Sequence, residues 1–143
     1  MTIAAPVFET PVRRRPGEPL RVLIVDDDRD IAESLRDAVI DLGDRGEVSH
    51  TGNQAMLRVL SCEPDVLLLD LSLPDTSGLR IAEMIRALKR PKTPKIIAVT
   101  GHSDPQTKRA TAAAGFDLHL TKPIRFEVLE SMLYLLRQAP VIA

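Results

Sequence analysis

Five polar side chains of this 143-residue chain lie at the ends of apolar segments, or directly after them. They are, in chain order, Asp26, Asp27, Asp70, Thr100 and Lys122. Any one such carboxylate is more often a loop-edge residue than a functional one. Three carboxylates brought together repel one another, and a hard divalent cation such as Mg²⁺, which prefers oxygen ligands, relieves that repulsion. An ammonium and a hydroxyl nearby suit a phosphoryl group, and a carboxylate can itself be the nucleophile that takes it.

These side chains share one edge of a sheet if the apolar segments are parallel strands. The alternation of five short apolar segments with five amphipathic ones predicts an α/β fold, with right-handed crossovers and a five-stranded parallel sheet covered by helices on both faces. Ligands of such sheets bind beyond the carboxyl ends of the strands. The predicted strands are Arg21 to Val25, Glu47 to Ser49, Val66 to Leu69 before Asp70, Lys95 to Thr100, and Asp117 to Leu120.

Helix signals lie between the predicted strands. Asp28 and Thr51 are suited to cap the first two helices, and Gly43 to end the first. Asp104 to Ala114 has few large apolar residues, so this fourth helix should be weakly packed. The second helix is predicted to end near Ser61, the third to span about Ser77 to Lys89, and the last Ile124 to Arg137. The stripes predicted to face the sheet are Ile31, Leu35, Ala38 and Leu42 in the first helix, and Ile81, Met84, Ile85 and Leu88 in the third.

Composition and charge narrow the class of protein. The length suits one domain, and a net charge of −1 with interspersed signs argues against a nucleic-acid partner. Cys62 is the only cysteine, so the chain has no internal disulfide. No apolar stretch is long enough to span a membrane and none resembles a signal peptide. We therefore expect a cytoplasmic protein with no membrane partner.

The predicted domain spans residues 20–138. Residues 1–19, which include four prolines and three consecutive arginines, are expected to be a disordered extension, and residues 139–143 a short tail. The arginines are either a solvated part of this extension or a docking site for an anionic surface.

Four motifs resemble those of the receiver domain of bacterial two-component response regulators, in the same order and spacing. They are Val-Leu-Ile-Val-Asp-Asp-Asp, Leu-Leu-Leu-Asp-Leu-Ser-Leu-Pro-Asp-Thr-Ser-Gly, Ile-Ile-Ala-Val-Thr-Gly and Leu-Thr-Lys-Pro. The resemblance covers about Leu20 to Arg137. It implies a flavodoxin-like (βα)5 fold with strand order 2-1-3-4-5. It also implies a phosphoacceptor rather than an enzyme, with at most slow self-dephosphorylation.

By this resemblance, Asp70 accepts a phosphoryl group from a phosphohistidine of a partner. Lys122 pairs with the phosphoryl oxygens, Thr100 shifts to hydrogen-bond them, and the Lys122-Pro123 peptide bond is cis. The implied donor is a sensor histidine kinase, including the hybrid kind, or a histidine phosphotransfer protein. The implied Mg²⁺ ligands are Asp26, Asp27, Asp70 and the backbone carbonyl of Ser72.

His119 departs from the family pattern, which usually has Tyr or Phe three residues before the lysine. It is either a half-exposed strand residue or a switch, coupled to Thr100, that adds charge sensitivity because histidine titrates near neutral pH. Its sequence context also resembles receivers attached to hybrid kinases, which indicates a phosphorelay. Ser72, Gly101 and His102 flank the phosphoryl position in this family, where side chains orient or block attacking water.

The last helix has an apolar face that spans roughly 200°. Its residues are Ile124, Phe126, Val128, Leu129, Met132, Leu133, Leu135 and Leu136. This width means either deep burial under a neighbouring helix or a contact surface formed by the fourth helix, fifth strand and fifth helix. We expect a stand-alone receiver that signals through this surface, to a downstream protein or to a second copy of the chain.

Two other functions remain open. A haloacid-dehalogenase-type phosphatase would use Asp26 as nucleophile and Asp28 as acid/base, but Arg29 stands where that family prefers Thr or Val, and no acidic pair follows Lys122. The other alternative is a receiver-like binding module that is never phosphorylated. A dinucleotide or flavin site is disfavoured, because the first turn is acidic where phosphate binding needs glycines and backbone amides.

Overall fold

The computed structural model of the chain describes residues 14–102 and 104–138. Its five strands form one parallel sheet in the order β2-β1-β3-β4-β5, which confirms the predicted fold class and strand order. The strands are β1 (Arg21–Val25), β2 (Arg45–Ser49), β3 (Val66–Asp70), β4 (Lys95–Thr100) and β5 (Leu118–Thr121). Two strand boundaries differ from the prediction: β2 begins two residues earlier, and β5 lies one residue later in the chain.

Five helices cover the two faces of the sheet. They are α1 (Arg29–Asp41), α2 (Gly52–Cys62), α3 (Gly78–Leu88), α4 (Pro105–Ala114) and α5 (Phe126–Gln138). Helices α1 and α5 pack on one face, and α2, α3 and α4 on the other. The chain is therefore doubly wound, and the loops that follow the strands meet at one edge of the sheet.

The central strands are buried on both faces, which explains their unbroken apolar sequence. In β3, Val66 and Leu68 belong to the core under α1 and α5, whereas Leu67 and Leu69 belong to the core under α2 and α3. All four side chains are at most 1% exposed. Each contributes about 1.5–3 kcal/mol of hydrophobic free energy relative to an exposed side chain. The same burial fixes the register of β3 against its neighbours β1 and β4, and this register sets the position of Asp70 at the carboxyl end of the sheet.

Side-chain caps set where four helices begin. Asp28 accepts hydrogen bonds from the amides of Asp30 and Ile31, and Thr51 accepts one from the amide of Gln54. The caps of α3 and α4 are Ser77 and Asp104. Gly43, with φ of +96°, follows the end of α1. The predicted caps Asp28 and Thr51 and the predicted stop at Gly43 are confirmed.

The predicted buried stripes are wrong on one flank of α1 and of α3. Ile31 is 36% exposed, because α1 turns Ala32 and Val39, both fully buried, toward the sheet. Met84 and Leu88 are likewise exposed, since the face of α3 against the sheet is centred on its small and branched residues. These are Gly78, Ile81, Ala82 and Ile85. Small side chains at the centre of each face let the helix lie close to the sheet.

The part of residues 1–19 that the structure describes contacts the end of α5. Arg14 is only 8% exposed, and its guanidinium donates to the carbonyls of Leu136 (3.0 Å) and Arg137 (2.6 Å) at the end of α5. The amide of Gly17 also donates to the Arg137 carbonyl, at 2.9 Å. Arg14 is thus neither solvated nor available to an anionic surface. Residues 1–13 and the predicted tail at 139–143 lie outside the described residues.

Candidate functional site

The carboxyl-end edge of the sheet gathers the predicted acidic residues. Asp26 and Asp27 follow β1, and Asp70 ends the neighbouring strand β3. One oxygen from each of these three carboxylates lies within 4.8 Å of the other two. Asp26 and Asp70 are buried, whereas Asp27 is exposed. Three converging oxygen donors that open to solvent on one side fit a hard divalent cation such as Mg²⁺.

Lys122 completes this cluster from the loop after β5. Its Nζ lies 2.9 Å from Asp26 Oδ2 and 3.3 Å from Asp70 Oδ2. Burial acts to lower the pKa of Lys122, but the hydrogen bond to Asp26 and the charge of Asp70 outweigh it, so the pKa is raised. The ammonium therefore stays charged at neutral pH. The Lys122-Pro123 peptide bond is cis, as the family resemblance implied.

Asp70 carries an electrostatic cost in this arrangement. Burial raises the pKa of its carboxyl above the ordinary value and outweighs the hydrogen bond from the Ser72 amide. The charge of Asp26 raises the pKa further, and the charge of Lys122 lowers it. A cation or a bound positive group at this position would reduce the cost, since it favours the charged carboxylate.

The backbone positions Asp26 through contacts with β2 and α1. Its amide donates to the Ser49 carbonyl at 3.1 Å, and its Oδ1 accepts from the Asp28 amide at 2.9 Å. His50, directly after β2, places Nδ1 3.0 Å from the Asp26 carbonyl oxygen. Sequence reasoning missed His50. The signal that would have found it is its position, at the same sheet edge as the other site residues.

The loop after β3 requires Gly78. A Cβ built at this glycine would lie 2.4 Å from the Asp70 carbonyl oxygen and 2.9 Å from Leu71 Cα, both backbone atoms that cannot move aside easily. At the start of the same loop, the Ser72 amide donates to Asp70 Oδ1 at 3.0 Å. The loop therefore folds back tightly on the end of β3, and the Ser72 side chain is exposed.

Thr100 and His119 are linked through the loop after β4. Thr100 is buried, and its Oγ1 accepts from the His102 amide at 3.1 Å. His119 Nε2 lies 3.1 Å from the His102 carbonyl oxygen, and its Nδ1 lies 3.5 Å from Thr111 Oγ1 in α4. The histidine ring thus connects this loop to α4. A Cβ built at Gly101 would meet nothing within 4 Å, so the neighbouring space is open.

A groove of about 550 Å³ lies beside Lys122, between α1 and the start of α5. Its apolar wall includes Ile31 and Leu35 on one side and Pro123 and Ile124 on the other. The exposure of Ile31, which contradicts the predicted stripe, therefore supplies an apolar surface next to the acidic cluster.

A second apolar surface lies on β5 and α5. Leu118, Phe126, Val128 and Leu135 are between 41% and 68% exposed, whereas Leu129, Met132 and Leu133 form the buried face of α5. The wide apolar face of the last helix is thus not explained by burial alone.

The fold and the acidic site together define a doubly wound domain with a metal-type acidic cluster at its ligand-binding edge. Residues 22–134 match the family model described as response regulator receiver domain. The chain belongs to this family, and receiver domains act in two-component signalling. The family match favours the receiver over the phosphatase alternative, whose acid/base candidate, Asp28, caps α1.

Known relatives agree with this assignment. The response regulator MprA of Mycobacterium avium is 34% identical over 120 residues, which cover 83% of this chain and 52% of MprA. The sensor histidine kinase AtsR of Burkholderia thailandensis is 33% identical over 121 residues, which cover 82% of this chain and 20% of that kinase. The chain thus spans about half the length of MprA and a fifth of the length of AtsR.

A solved receiver domain shares the fold. The CheY-like response regulator receiver domain from Methylobacillus flagellatus is 31% identical with a TM-score of 0.73, and the match covers 83% of this chain and 99% of that one. Phosphate acceptance and Mg²⁺ binding through acidic residues are general to receiver domains, and histidine kinases are the partners that the family implies. Within residues 14–102 and 104–138, no helix is long and apolar enough to cross a membrane.

Proposed function

We propose that the chain accepts a phosphoryl group on Asp70 from a phosphohistidine of a partner protein, in a Mg²⁺-dependent reaction. The observation that carries this proposal is the convergence of three carboxylates and the Lys122 ammonium at one edge of the sheet. Asp26, Asp27, Asp70 and the Ser72 carbonyl would hold the metal ion. When bound, the ion would offset the negative charge of the carboxylates and of the incoming phosphoryl group.

Each residue has a role in the proposed transfer. A carboxylate oxygen of Asp70 attacks the phosphorus atom, the P–N bond to the partner's imidazole breaks, and the imidazole leaves with the bonding electron pair and takes up a proton. Lys122 would neutralise a phosphoryl oxygen, and Thr100 would shift to donate a hydrogen bond to another. The exposed Ser72 and His102 flank the position and would influence the access of water, and so the lifetime of the acyl phosphate. The product is a phosphorylated chain, not a released substrate.

Labelling with acetyl phosphate tests the acceptor residue. In the presence of Mg²⁺, intact mass spectrometry should show one phosphoryl group on the wild-type chain and none on Asp70→Asn. Labelling of Asp70→Asn at another residue would contradict the assignment. A wild-type chain that neither acetyl phosphate nor a panel of histidine kinases and phosphotransfer proteins can label would support the alternative of a binding module that is never phosphorylated.

The groove beside Lys122 is the proposed docking site of the phosphodonor. A helix that presents a phosphohistidine to Asp70 would cover the adjacent apolar wall formed by Ile31 and Pro123. The donor is a sensor histidine kinase, including the hybrid kind, or a histidine phosphotransfer protein in a phosphorelay.

The proposed response is a change at the face formed by α4, β5 and α5. His119 connects the loop after Thr100 to α4. A shift of Thr100 toward the phosphoryl group would therefore change the contact between His119 and Thr111. His119→Phe keeps a ring but removes both contacts, and we expect faster hydrogen exchange in α4 of the unphosphorylated chain. Unchanged exchange would mean that His119 is only a strand residue.

The occupant of this face is a downstream protein or a second copy of the chain. The exposed apolar residues Leu118, Val128 and Leu135 support a protein contact there. Sedimentation with and without beryllofluoride, a phosphoryl mimic, separates the two: dimers that form only with the mimic indicate a second copy, and a monomer in both states indicates a different protein.

A further inference from the structure

The loop between β3 and α3 reaches from Asp70 to the beginning of α2. At its tip, the carboxylate of Asp75 accepts two backbone hydrogen bonds, one from the Gly52 amide to Oδ1 at 2.8 Å and one from the Asn53 amide to Oδ2 at 2.9 Å. The tip of the loop is therefore attached to the start of α2, whose two donor residues lie 23 and 22 positions earlier in the chain.

Asp75 satisfies amides that α2 cannot satisfy itself. The first amides of a helix have no partner within the helix. In α2 the Gln54 amide bonds to the Thr51 side chain, so Thr51 alone would leave the Gly52 and Asn53 amides without a partner. The loop and the helix thus depend on the same carboxylate.

The contact is also tight in its packing. A Cβ built at Gly52 would lie 2.4 Å from Thr76 Cγ2 and 3.1 Å from Ile81 Cδ1. Real Cβ atoms do not approach other atoms so closely, so any larger residue at Gly52 must displace the Thr76 side chain. Glycine at this position lets the side chains of the loop pack directly against the start of α2.

The base of the loop is the part that enters the site. The Gly78 amide donates to the Leu71 carbonyl at 3.0 Å, and Ser72 and Ser77 form an antiparallel bridge. The closed base thus connects the tip of the loop to Ser72. His50, which directly precedes the cap Thr51, contacts the Asp26 carbonyl, so the start of α2 is connected both to Asp26 and to the loop after Asp70.

We propose that Asp75 is a positioning residue of the Mg²⁺ site: it holds the loop against α2 and thereby sets where the Ser72 carbonyl lies relative to the carboxylates of Asp27 and Asp70. The inference rests on the proposed function, since it concerns the same site. The hydrogen bonds from the Gly52 and Asn53 amides lower the pKa of Asp75, which keeps it ionised at neutral pH and makes both bonds charge-assisted.

The test measures Mg²⁺ affinity of the unphosphorylated chain by a two-dimensional NMR titration. We expect Asp75→Ala to weaken Mg²⁺ binding about tenfold, the effect typical of residues that orient metal ligands. Asp75→Asn keeps one acceptor oxygen and should fall between Asp75→Ala and the wild type. Gly52→Ala acts from the other side of the contact and should also weaken binding, although alanine is the better helix former.

Thr51→Ala is the matched control, because it removes a cap from the same helix end without touching the loop. It should lower the thermal midpoint of unfolding, as Asp75→Ala does, and leave the Mg²⁺ affinity unchanged. If Asp75→Ala and Gly52→Ala keep the wild-type affinity, Asp75 is only a helix cap and the inference is overturned. If the wild-type chain itself binds no Mg²⁺, the proposed function fails, and this inference with it.

Discussion

At the scale of single residues, the charge of Asp70 is held in an unfavourable place. Burial and the neighbouring charge of Asp26 raise the pKa of Asp70, and the Ser72 amide and Lys122 compensate only in part. A reactive carboxylate that is destabilised before reaction is a common feature of functional sites. Mg²⁺ would relieve this cost, so the same electrostatics that weaken the metal-free fold favour the metal-bound one.

Replacement of this carboxylate should therefore stabilise the resting chain. Without Mg²⁺ at neutral pH, Asp70→Asn is expected to unfold at a higher urea concentration than the wild type. Because the pKa of Asp70 is raised in the folded chain, its protonated form adds to the free energy of unfolding. This contribution is complete below the ordinary pKa of 3.8 and is lost as the pH rises through the raised pKa. The difference between the two chains should thus vanish in strong acid. Equal urea midpoints of the two chains at neutral pH would contradict the predicted stabilisation by Asp70→Asn.

At the scale of elements, the orientation of α1 about its own axis decides what lies beside the site. Ala32 and Val39 face the sheet, and Ile31 is left on the flank that forms one wall of the groove next to Lys122. An exposed isoleucine is unremarkable alone, but this one is continuous with Pro123 and Ile124 across the groove. We therefore propose that the first turn of α1 also serves as a contact surface for the phosphodonor.

Ile31→Glu tests this surface. We expect phosphotransfer from a histidine-phosphorylated partner to fall about tenfold more than labelling by acetyl phosphate, because only the protein donor needs the groove; this corresponds to about 1.4 kcal/mol of lost contact. Initial rates of both reactions are measured on the same variant.

Ile40→Glu is the matched control for this experiment. Ile40 is 50% exposed on the same helix and does not line the groove. Its variant should transfer at the wild-type rate from both donors. Docking at the groove is excluded if the two variants lose partner phosphotransfer equally.

At the scale of the whole molecule, the segment before β1 fastens the end of the last helix. Arg14 donates to the final carbonyls of α5, where a cation also interacts favourably with the helix dipole. Arg137 in turn pairs with the buried Asp44 after α1, at 2.6 Å, and Asp44 accepts from the Leu20 amide at 2.9 Å. These contacts join the two ends of the described chain and the edge of the sheet into one unit.

Loss of the Arg14 side chain should lower the free energy of unfolding by about 2–3 kcal/mol, because several hydrogen bonds from a charged donor are removed at once. Urea denaturation measures this. Arg15→Ala provides the comparison, since that side chain is 89% exposed and its ion pair with Glu18 spans 3.7 Å. Arg15→Ala should lower the free energy of unfolding by less than about 0.5 kcal/mol. Similar losses in the two variants would show that the buried contacts of Arg14 add no stability.

The sequence by itself determined the features that depend on local pattern. Apolar runs marked the central strands β1, β3 and β4, Asp28 and Thr51 marked two helix starts, and the polar residues at strand ends marked the acidic cluster. These signals are local because a buried parallel strand must be apolar throughout and a helix start needs an acceptor beside it. The parallel topology then requires that residues such as Asp26 and Asp70 meet at one edge.

Only the tertiary structure decided which flank of each helix is buried and which distant residues meet. The periodicity of α1 allowed Ile31 or Ala32 to face the sheet, and the choice depends on the packing distance, which the neighbouring strands set. The bond between Arg14 and Arg137 joins residues 123 positions apart, and that between Gly52 and Asp75 joins residues 23 apart. No local pattern encodes such pairs, because the partner of each polar group is chosen by the fold as a whole.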